Sequence, residues 1–325
     1  MRIAITGASG FIGSNLSRYL SNKGHSVVAF VRNPDSIAHL ANNIEVVKGD
    51  VTNPESLLKA FEKVDVVIHL AALFNHPEAS WDDYNAVNVT GTINVLNAAK
   101  NAGVKKVIHC STVGVASGTG DMPYNESTEY SAPEWDKYET TKCKGEQAAL
   151  EFHQKQVYPV VIIRPAQPFG PGDKSKTKFY KMVRKGIIVN PGNTYKHLIY
   201  IDDMCRAFEL AITEEKAIGE VIIIAGKKAT LLKDLIKIAA KELNVPVPKI
   251  IIPATLMTLL CTITEKVCNL IKIKPVLFRR SMDFFTKSVE FDVTKAKTTL
   301  GFESTTEVSD GVARTIKYYK QEGLL

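Results

Sequence analysis

The chain has 325 residues, of which 45% are hydrophobic and 23% are charged, and its formal net charge is +7. This length and composition are typical of a globular protein with a large core, in one large domain or two coupled ones. The Lys and Arg residues are scattered along the chain without aromatic interleaving, so we expect a protein that binds no nucleic acid.

Cysteine usage and the longest apolar stretch narrow the class further. The five cysteines form no Cys-x-x-Cys pair and lie at no metal-ligand spacing with histidine, which predicts reduced thiols, no metal site and a cytoplasmic protein. The first residues run directly into a strand pattern, so no secretory signal is expected. The apolar stretch at 250–263 is shorter than the ~20 residues that a spanning helix needs. It predicts a helix packed in the core or lining an apolar pocket, with a face on a membrane surface as the alternative.

Short β-branched runs alternate with segments of helical period in the first half of the chain, which is the pattern of βαβ units. Six strands are predicted, at 2–6, 26–32, 44–48, 64–70, 106–111 and 158–164. Several of them are nearly continuous in apolar residues, as expected for parallel strands that helices cover on both faces. The predicted fold class is α/β, a doubly wound parallel sheet of the Rossmann type with a smaller, mostly helical C-terminal substrate domain.

A cluster of Pro and Gly at 165–173 interrupts this pattern, because these residues do not continue a strand or helix regularly, and it predicts a domain transition. We expect a dinucleotide-binding domain at 1–170, with returning segments at about 197–226. The substrate-binding domain then comprises 171–196 and 227–325. In the second half, helices are predicted at 175–185, from 202, at 231–243 and at 307–321, with a strand at 220–225.

A glycine-rich turn follows the first predicted strand and precedes a helical segment. Its residues are Gly7, Ser9, Gly10, Phe11, Ile12 and Gly13, with Ala8 between the first two. Gly7 permits a tight turn, Gly10 lets the backbone approach a pyrophosphate, and Gly13 lets helix and strand pack closely. The helix N–H groups then point at the phosphates. In this context the turn predicts a dinucleotide site, and a purely structural turn is the alternative.

The end of the second strand bears on which dinucleotide is bound, because the adenosine ribose lies there. Arg32 stands at this end instead of Asp or Glu, and a guanidinium pairs with the 2′-phosphate of NADP. NADP is therefore predicted in preference to NAD, and a solvated arginine is the alternative. After the third strand, Asp50 either lies near the adenine or caps the helix that starts near Pro54.

Tyr138 and Lys142 are spaced i to i+4, so on a helix they share a face one turn apart. A phenol has an unperturbed pKa near ~10, and an adjacent ammonium favours its ionised form. Tyr138 is thus a candidate proton donor and acceptor near neutral pH. Ser111 and Thr112 end the strand at 106–111, at the sheet edge where open α/β folds bind ligands, so a hydroxyl there can contact a substrate oxygen.

These motifs resemble the extended short-chain dehydrogenase/reductase family over nearly the whole chain. The resemblance includes His-Leu-Ala-Ala at 69–72, Asn-Val-Thr-Gly-Thr at 88–92, Arg-Pro at 164–165 and Tyr-Ile-Asp-Asp at 200–203. It implies a catalytic triad of Thr112, with Ser111 as the alternative, Tyr138 and Lys142, and a homodimer. It also implies further cofactor contacts, from Val51, Leu70, Ala71, Ala72, Asn88, Cys110, Pro165 and Gln167, in addition to Tyr138 and Lys142.

Two reactions are compatible with this predicted cofactor site and catalytic triad. One is a reductase like the dihydroflavonol reductases and 3β-hydroxysteroid dehydrogenases, and the other is a nucleotide-sugar epimerase or dehydratase that returns its hydride. Arg32, the apolar stretch at 250–263 and Tyr-Lys-His at 195–197 favour the reductase, with a small hydrophobic substrate. Lys196, Arg279 and Arg280 keep the sugar-nucleotide alternative open, since each is able to bind an anion. A non-catalytic NADP-binding scaffold is a third class, which the intact triad disfavours.

Overall fold

A seven-stranded parallel sheet forms the centre of the computed structural model, which describes residues 1–37, 44–118, 121–270 and 282–325. The strands of this sheet are β1 Arg2–Thr6, β2 Ser26–Val31, β3 Ile44–Lys48, β4 Val66–His69, β5 Lys106–Cys110, β6 Val160–Pro165 and β11 Val221–Ile224. The strand order is β11-β6-β5-β4-β1-β2-β3, and every pair is parallel.

The direction of strand succession reverses between β1 and β4. The chain runs outward from β1 through β2 to β3, returns to β4 on the other side of β1, and continues through β5 and β6 to β11. In open α/β sheets such a switch point opens a crevice at the carboxyl ends of the strands, where ligands bind. The predicted doubly wound Rossmann fold is confirmed, and the predicted strands lie within two residues of their observed bounds.

Helices cover both faces of the sheet because successive strand residues point to opposite sides. Ile3 and Ile5 of β1 face one buried cluster, which includes Leu16 and Leu20, whereas Ala4 faces a second cluster on the other side. Both sets are essentially inaccessible to solvent, which explains why these strands lack polar alternation. The helices of the first half are α1 Phe11–Asn22, α2 Pro54–Ala60, α3 Trp81–Asn85, α4 Gly91–Asn101 and α5 Lys137–Gln156, with a π-helical turn at Ala86–Thr90.

The second half is more helical, as predicted. Its helices are α6 Thr177–Arg184, α7 Ile201–Thr213, α8 Leu232–Leu243, α9 Ala254–Leu270, α10 Asp283–Thr286, α11 Thr294–Leu300 and α12 Val308–Gln321. Its short strands are β7 Gln167–Phe169, β8 Ile187–Val189, β9 Tyr195–Lys196, β10 Leu198–Tyr200, β12 Thr230–Leu231 and β13 Ile250–Ile252. Within the described ranges, no helix combines the length and apolar character needed to cross a bilayer.

Two segments differ from the expectations. The Pro/Gly cluster is less irregular than predicted, because β7 lies inside it and pairs in parallel with β10. Pro168 is tolerated there because the sheet has only two strands, and a proline needs only to sit where no N–H is required. The apolar stretch divides into strand β13, Pro253 and helix α9, and only one face of α9 packs against the core. The division into two domains stays a prediction.

Candidate active site

The glycine turn joins β1 to α1 through two close backbone approaches. Gly7 has φ +71°, and a side-chain carbon there would lie 2.7 Å from the backbone nitrogen of Ala71. At Gly13 the same carbon would lie 2.7 Å from Cα of Ala8. Both positions therefore exclude a side chain, for the reasons the sequence indicated.

The backbone N–H groups at the N-terminus of α1 have no side-chain cap. Gly10 is the N-cap residue, its position provides no side-chain cap for the backbone N–H groups of the first turn, and that turn contains no acidic residue. Ser9 and Gly10 are exposed, whereas Phe11 and Ile12 are half-buried. Backbone N–H groups at an open helix N-terminus, beside glycines that keep the approach free, fit the pyrophosphate of a dinucleotide. No metal cluster is present among the described His, Cys, Asp and Glu residues.

The residues after β2 and β3 lie at the same sheet edge. Arg32 is exposed directly after β2. Asp50 is half-buried, and its Oδ1 accepts hydrogen bonds from the backbone N–H and the hydroxyl of Thr52, at 2.9 and 2.8 Å. The alternative that Asp50 caps α2 is wrong, because Asn53 Oδ1 accepts from the backbone of that helix's first turn. Val51 is buried, with its methyl group against the Cα side of Gly91.

The end of β4 is fixed to β1 by a buried hydrogen-bond chain. Thr92 Oγ1 donates to Asn88 O at 2.8 Å and lies 3.1 Å from His69 Nε2. The hydroxyl has given its proton to the carbonyl, so His69 Nε2 is the donor to it, and Nδ1 accepts from Thr6 Oγ1 at 2.7 Å. Thr6 Oγ1 in turn accepts from Ala71 N at 3.2 Å. Leu70, Ala71 and Ala72 are held half-buried beside the glycine turn.

Asn88 is buried beneath the loop that follows β4. Its Oδ1 accepts from Leu73 N at 2.7 Å, and its Nδ2 donates to Leu73 O and to Thr141 Oγ1, at 3.2 and 2.9 Å. The side-chain amide thereby links this loop to α5. These bonds support a positioning role for Asn88, and its cofactor contact stays a prediction.

Tyr138 lies in the first turn of α5. That helix begins at a strong cap, because Asp136 Oδ1 accepts from the backbone N–H groups of Tyr138 and Glu139, at 3.0 and 3.1 Å. The phenol ring is half-buried and meets Phe74 edge to face, with ring centroids 4.8 Å apart. Phe74 belongs to the loop after β4, so Tyr138 lies at the carboxyl edge of the sheet.

Lys142 lies one turn further along α5 and is only 2% exposed. Its Nζ donates to Cys110 O at 2.7 Å and lies 3.4 Å from His109 Nε2, at the end of β5. Burial lowers the pKa of Lys142, against the opposing effects of Cys110 and Glu146. Burial and the nearby ammonium also lower the pKa of His69, to about 3, and that of His109. Both imidazoles are therefore neutral at physiological pH.

The two candidate hydroxyls after β5 have different surroundings. Ser111 is 3% exposed and donates its hydroxyl proton to the carboxylate of Glu146. Thr112 is half-buried, and its Oγ1 accepts from Gly114 N at 3.2 Å. The hydroxyl proton of Ser111 is donated to the buried Glu146 carboxylate. The Thr112 hydroxyl only accepts in its bond to Gly114, so its own proton is not used there. Cys110 is buried as well, and burial raises the pKa of its thiol to about 11.

A buried ion pair behind these residues escaped the sequence analysis. Glu146 is inaccessible to solvent and accepts from Arg164 Nε at 3.0 Å, from Tyr130 OH at 2.8 Å and from Ser111. The Arg164 guanidinium also lies over the Tyr130 ring, 5.3 Å from its centroid. The signal that was available is the spacing, since Glu146 follows Lys142 by four residues on the same helix face.

The remaining predicted residues lie further from this group. Pro165 ends β6 and is buried, and Gln167 begins β7 and is half-buried. Lys196 was left open as a phosphate ligand, but its Nζ is buried and donates to the carbonyl oxygens of Asp283, at 2.9 Å, and Lys287. The Lys196 ammonium is therefore bonded to backbone carbonyl oxygens inside the protein and is not an exposed cation. Arg279 and Arg280 lie outside the described residues.

The arrangement is that of a nicotinamide-dependent oxidoreductase, and comparisons with known proteins agree. The model of the NAD-dependent epimerase/dehydratase family matches residues 3–225. The 3beta-hydroxysteroid-dehydrogenase/decarboxylase isoform 1 of Arabidopsis thaliana is 28% identical over 298 residues, covering 85% of this chain and 67% of that protein. The 2-alkyl-3-oxoalkanoate reductase of Shewanella oneidensis is 28% identical over 331 residues, covering 95% and 84%.

A solved structure with similar architecture is the UDP-glucuronic acid 4-epimerase from Bacillus cereus in complex with NAD. Its TM-score is 0.79 at 27% identity, and the match covers 99% of both chains. The chain therefore belongs to the NAD-dependent epimerase/dehydratase family and is an enzyme of the extended short-chain dehydrogenase/reductase type. The resemblance read from the sequence is confirmed.

Proposed function

We propose that the protein is an NADP-dependent oxidoreductase that reduces a ketone, or oxidises the corresponding secondary alcohol, on a small hydrophobic molecule. The observation that carries the proposal is a continuous path of contacts along one sheet edge. Gly7 approaches Ala71, the loop after Ala71 reaches Phe74, and Phe74 meets Tyr138. The glycine turn and the phenol therefore lie at the same sheet edge, linked by the loop after β4, and this supports a cofactor site that includes both.

Each member of the proposed triad has a separate task. When bound, the reduced cofactor supplies a hydride to the carbonyl carbon of the substrate. The Tyr138 phenol donates the proton that the carbonyl oxygen then requires, and it accepts that proton in the alcohol oxidation. Thr112 donates a hydrogen bond to the same oxygen, and we prefer it to Ser111, whose proton is held by Glu146. The Lys142 ammonium lies one helical turn away and stabilises the phenolate.

The preference for NADP rests on Arg32. The two residues after β2 are Arg32 and Asn33, so this position has no carboxylate to accept from the 2′-hydroxyl of NAD. Among the described residues, the Arg32 guanidinium makes no hydrogen bond or ion pair that would hold it away from a 2′-phosphate. An exposed guanidinium at this place suits bidentate phosphate binding.

The substrate class is supported by the names of the relatives. One acts on a 3β-hydroxysteroid and another on a 2-alkyl-3-oxoalkanoate, and both names describe an oxygen function on an apolar skeleton. A nucleotide-sugar epimerase is the second candidate, because the Bacillus cereus epimerase matches this chain over its full length. The buried Lys196 gives that alternative no exposed cation for a diphosphate.

The two candidates differ in whether cofactor is consumed. We expect the enzyme to oxidise NADPH steadily in the presence of alkyl ketones or steroid ketones, recorded as loss of nicotinamide absorbance. Incubation with UDP-sugars should leave both the sugars and the cofactor unchanged. Interconversion of a UDP-sugar without net nicotinamide turnover would refute the proposal in favour of the epimerase.

A homodimer is also proposed, on the strength of the family resemblance. Light scattering over a range of protein concentrations tests it, with a constant mass of two chains as the expected result.

A further inference from the structure

One surface of the substrate-side region exposes apolar side chains in an unusual concentration. It comprises β13, α9 and the basic residues around them, and is called here the β13–α9 surface. Its large apolar side chains are between 43% and 58% exposed. They are Ile250, Ile251, Leu256, Leu259, Leu260, Ile263 and Val267.

Helix α9 is apolar on two opposite faces. Met257, Cys261 and Cys268 recur at helical spacing and are among the residues that contact the core or are buried. Leu259, Ile263 and Val267 recur at i, i+4 and i+8 on the other side and are 57%, 50% and 52% exposed. An apolar face of a helix in a globular protein is ordinarily buried against a partner. The second face of α9 therefore lacks the partner that its composition calls for within the described chain.

The edge of this surface is basic. Residues 174–201 contain Lys and Arg but no Asp or Glu. Strand β8 follows the basic helix α6 and pairs in parallel with β13, with Ile250 opposite Ile187. Lys185 lies two residues before β8 and Lys249 directly before β13, so both exposed lysines lie at the start of this strand pair, near the exposed isoleucines. Lys266 is exposed one turn from Ile263. Glu265, the one acidic residue of α9 in the sequence, is half-buried.

We propose that the β13–α9 surface docks on an anionic lipid bilayer, with α9 lying in the plane of the membrane. Its exposed stripe from Leu256 to Val267 is ~17 Å long at ~1.5 Å per residue, which suits a helix lying in the interface and is too short to span. Basic residues beside an apolar face are the combination that anionic headgroups attract. The inference concerns this surface alone and does not depend on the proposed reaction.

The charge pattern is what favours a bilayer over a second copy of the chain. A symmetric dimer through this surface would bring Lys185, Lys249 and Lys266 of one protomer against the same patch of the other. Like charges facing each other across an interface oppose association. An anionic lipid surface neutralises these cations, while its acyl region receives the leucine and isoleucine side chains.

Flotation of the full-length chain with lipid vesicles tests the proposal. Vesicles of phosphatidylglycerol and phosphatidylcholine should carry the protein to the top of a density gradient, and vesicles of phosphatidylcholine alone should not. Raising the salt concentration should release the protein, since exposed charges are screened. Absence of the wild-type protein from the floating fraction at low salt would overturn the proposal.

Two paired substitutions locate the contact. Leu259→Glu with Ile263→Glu should abolish flotation, whereas the matched control Val46→Glu with Leu58→Glu, at 43% and 41% exposed positions of the other half, should float like wild type. Lys185→Glu with Lys249→Glu should weaken binding at least ~tenfold, because each cation near an anionic surface contributes to the affinity. Its control is Lys59→Glu with Lys228→Glu, which reverses two exposed lysines elsewhere.

The results of these experiments distinguish a lipid bilayer from a second copy of the chain as the partner of the β13–α9 surface. Thermal unfolding of each variant first establishes that the fold is retained, which the exposure of the substituted side chains predicts. Flotation of Leu259→Glu with Ile263→Glu at the wild-type level would overturn the proposal. A change from dimer to monomer in that variant, with no vesicle binding by the wild type, would instead assign the surface to a second copy of the chain.

Discussion

Helices α5 and α9 depart from ordinary amphipathic patterning in opposite directions. Helix α5 buries polar residues, since Thr141, Lys142 and Glu146 are 0%, 2% and 0% exposed. Helix α9 exposes apolar ones, with Leu259 57% exposed. Buried charges and exposed apolar clusters are the informative exceptions to residue sorting, because each requires a partner. In α5 most of the partners lie within the chain, whereas in α9 we infer one outside it.

The polar face of α5 contains two kinds of buried charge. Glu146 faces Arg164 and is neutralised by it. Lys142 instead donates to the backbone carbonyl of Cys110 and lies beside neutral His109. A buried ammonium held mainly by neutral groups is costly, and groups of that kind concentrate at functional sites. We therefore propose a stabilising role for Glu146 and a chemical role for Lys142 and Tyr138.

The largest expected effect is the loss of chemistry from Tyr138→Phe. This change removes the hydroxyl but keeps the ring that packs on Phe74, so the fold and cofactor affinity should be preserved. Turnover of ketone with NADPH should fall ~10²- to 10⁴-fold, the usual contribution of a positioned acid or base. Tyr195→Phe, at an exposed tyrosine of β9, is the control and should leave turnover unchanged. Comparable rates for the two variants would end the assignment of Tyr138.

The next effect is on stability, through Glu146→Gln. This change leaves the buried Arg164 guanidinium without its counter-charge, and we expect a loss of ~3–5 kcal/mol in the free energy of unfolding. Glu151→Gln is the matched control on the same helix, because Glu151 pairs with Lys155 at an exposed position. That change should cost less than ~1 kcal/mol. Denaturant unfolding of both variants measures the difference, and equal losses would contradict the distinction between them.

Arg32→Asp tests the cofactor preference. A charge-assisted hydrogen bond contributes ~1.5–3 kcal/mol, so its loss should lower the ratio of kcat/KM for NADPH to that for NADH by ~10- to 100-fold. The substituted carboxylate repels a 2′-phosphate and accepts from a 2′-hydroxyl. Arg18→Asp, in helix α1, serves as a charge-matched control. An unchanged ratio in Arg32→Asp would show that another residue selects the cofactor.

A smaller effect is expected from pH, at a buried carboxylate outside the site. Asp203 in α7 accepts from Ser304, Thr305 and Thr306, and these bonds lower the pKa of Asp203 to about 2 although burial opposes the shift. A depressed folded-state pKa contributes stability above the unfolded value of ~3.9, and that stability is lost as the pH falls towards 2.

The shift corresponds to ~2 kcal/mol. Asp203→Asn should therefore unfold more easily than wild type at pH 7, with a difference that narrows as the pH is lowered from about 5 towards 2. Chemical denaturation across this pH range measures it. A difference that stays constant with pH would show that ionisation of Asp203 contributes nothing.

Local sequence patterns predicted the sheet well, because strands that are buried on both faces consist of nearly continuous runs of apolar residues. The glycine turn and the shared helix face of Tyr138 and Lys142 could also be predicted from the sequence, since their geometry depends on residues that are close along the chain. The hydrogen-bond network of Thr6, His69 and Thr92 could not be predicted from the sequence. Its members are far apart in sequence, and only the pairing of β1 with β4 brings the first two together.

The apolar stretch shows a different limit. Its composition predicted a packed helix, a pocket wall or a membrane face. Both stripes of α9 have the same helical spacing of apolar residues, so the sequence does not distinguish the stripe that contacts the core from the stripe that is exposed to solvent. The packing of Met257 and Cys261 on the core determines which stripe is exposed, and that packing is visible only in the structure. Likewise, the sequence left open that Asp50 caps α2, whereas in the structure the N-cap residue is Asn53, which the sequence analysis did not consider.

A crystal structure of the complex with NADPH tests the central claim most directly. We predict the pyrophosphate against the backbone N–H groups at the start of α1, and the nicotinamide in the crevice between Thr112 and Tyr138, with Lys142 directed at its ribose. A complex with the phosphates away from the glycine turn, or with the nicotinamide remote from the Tyr138 hydroxyl, would contradict the account.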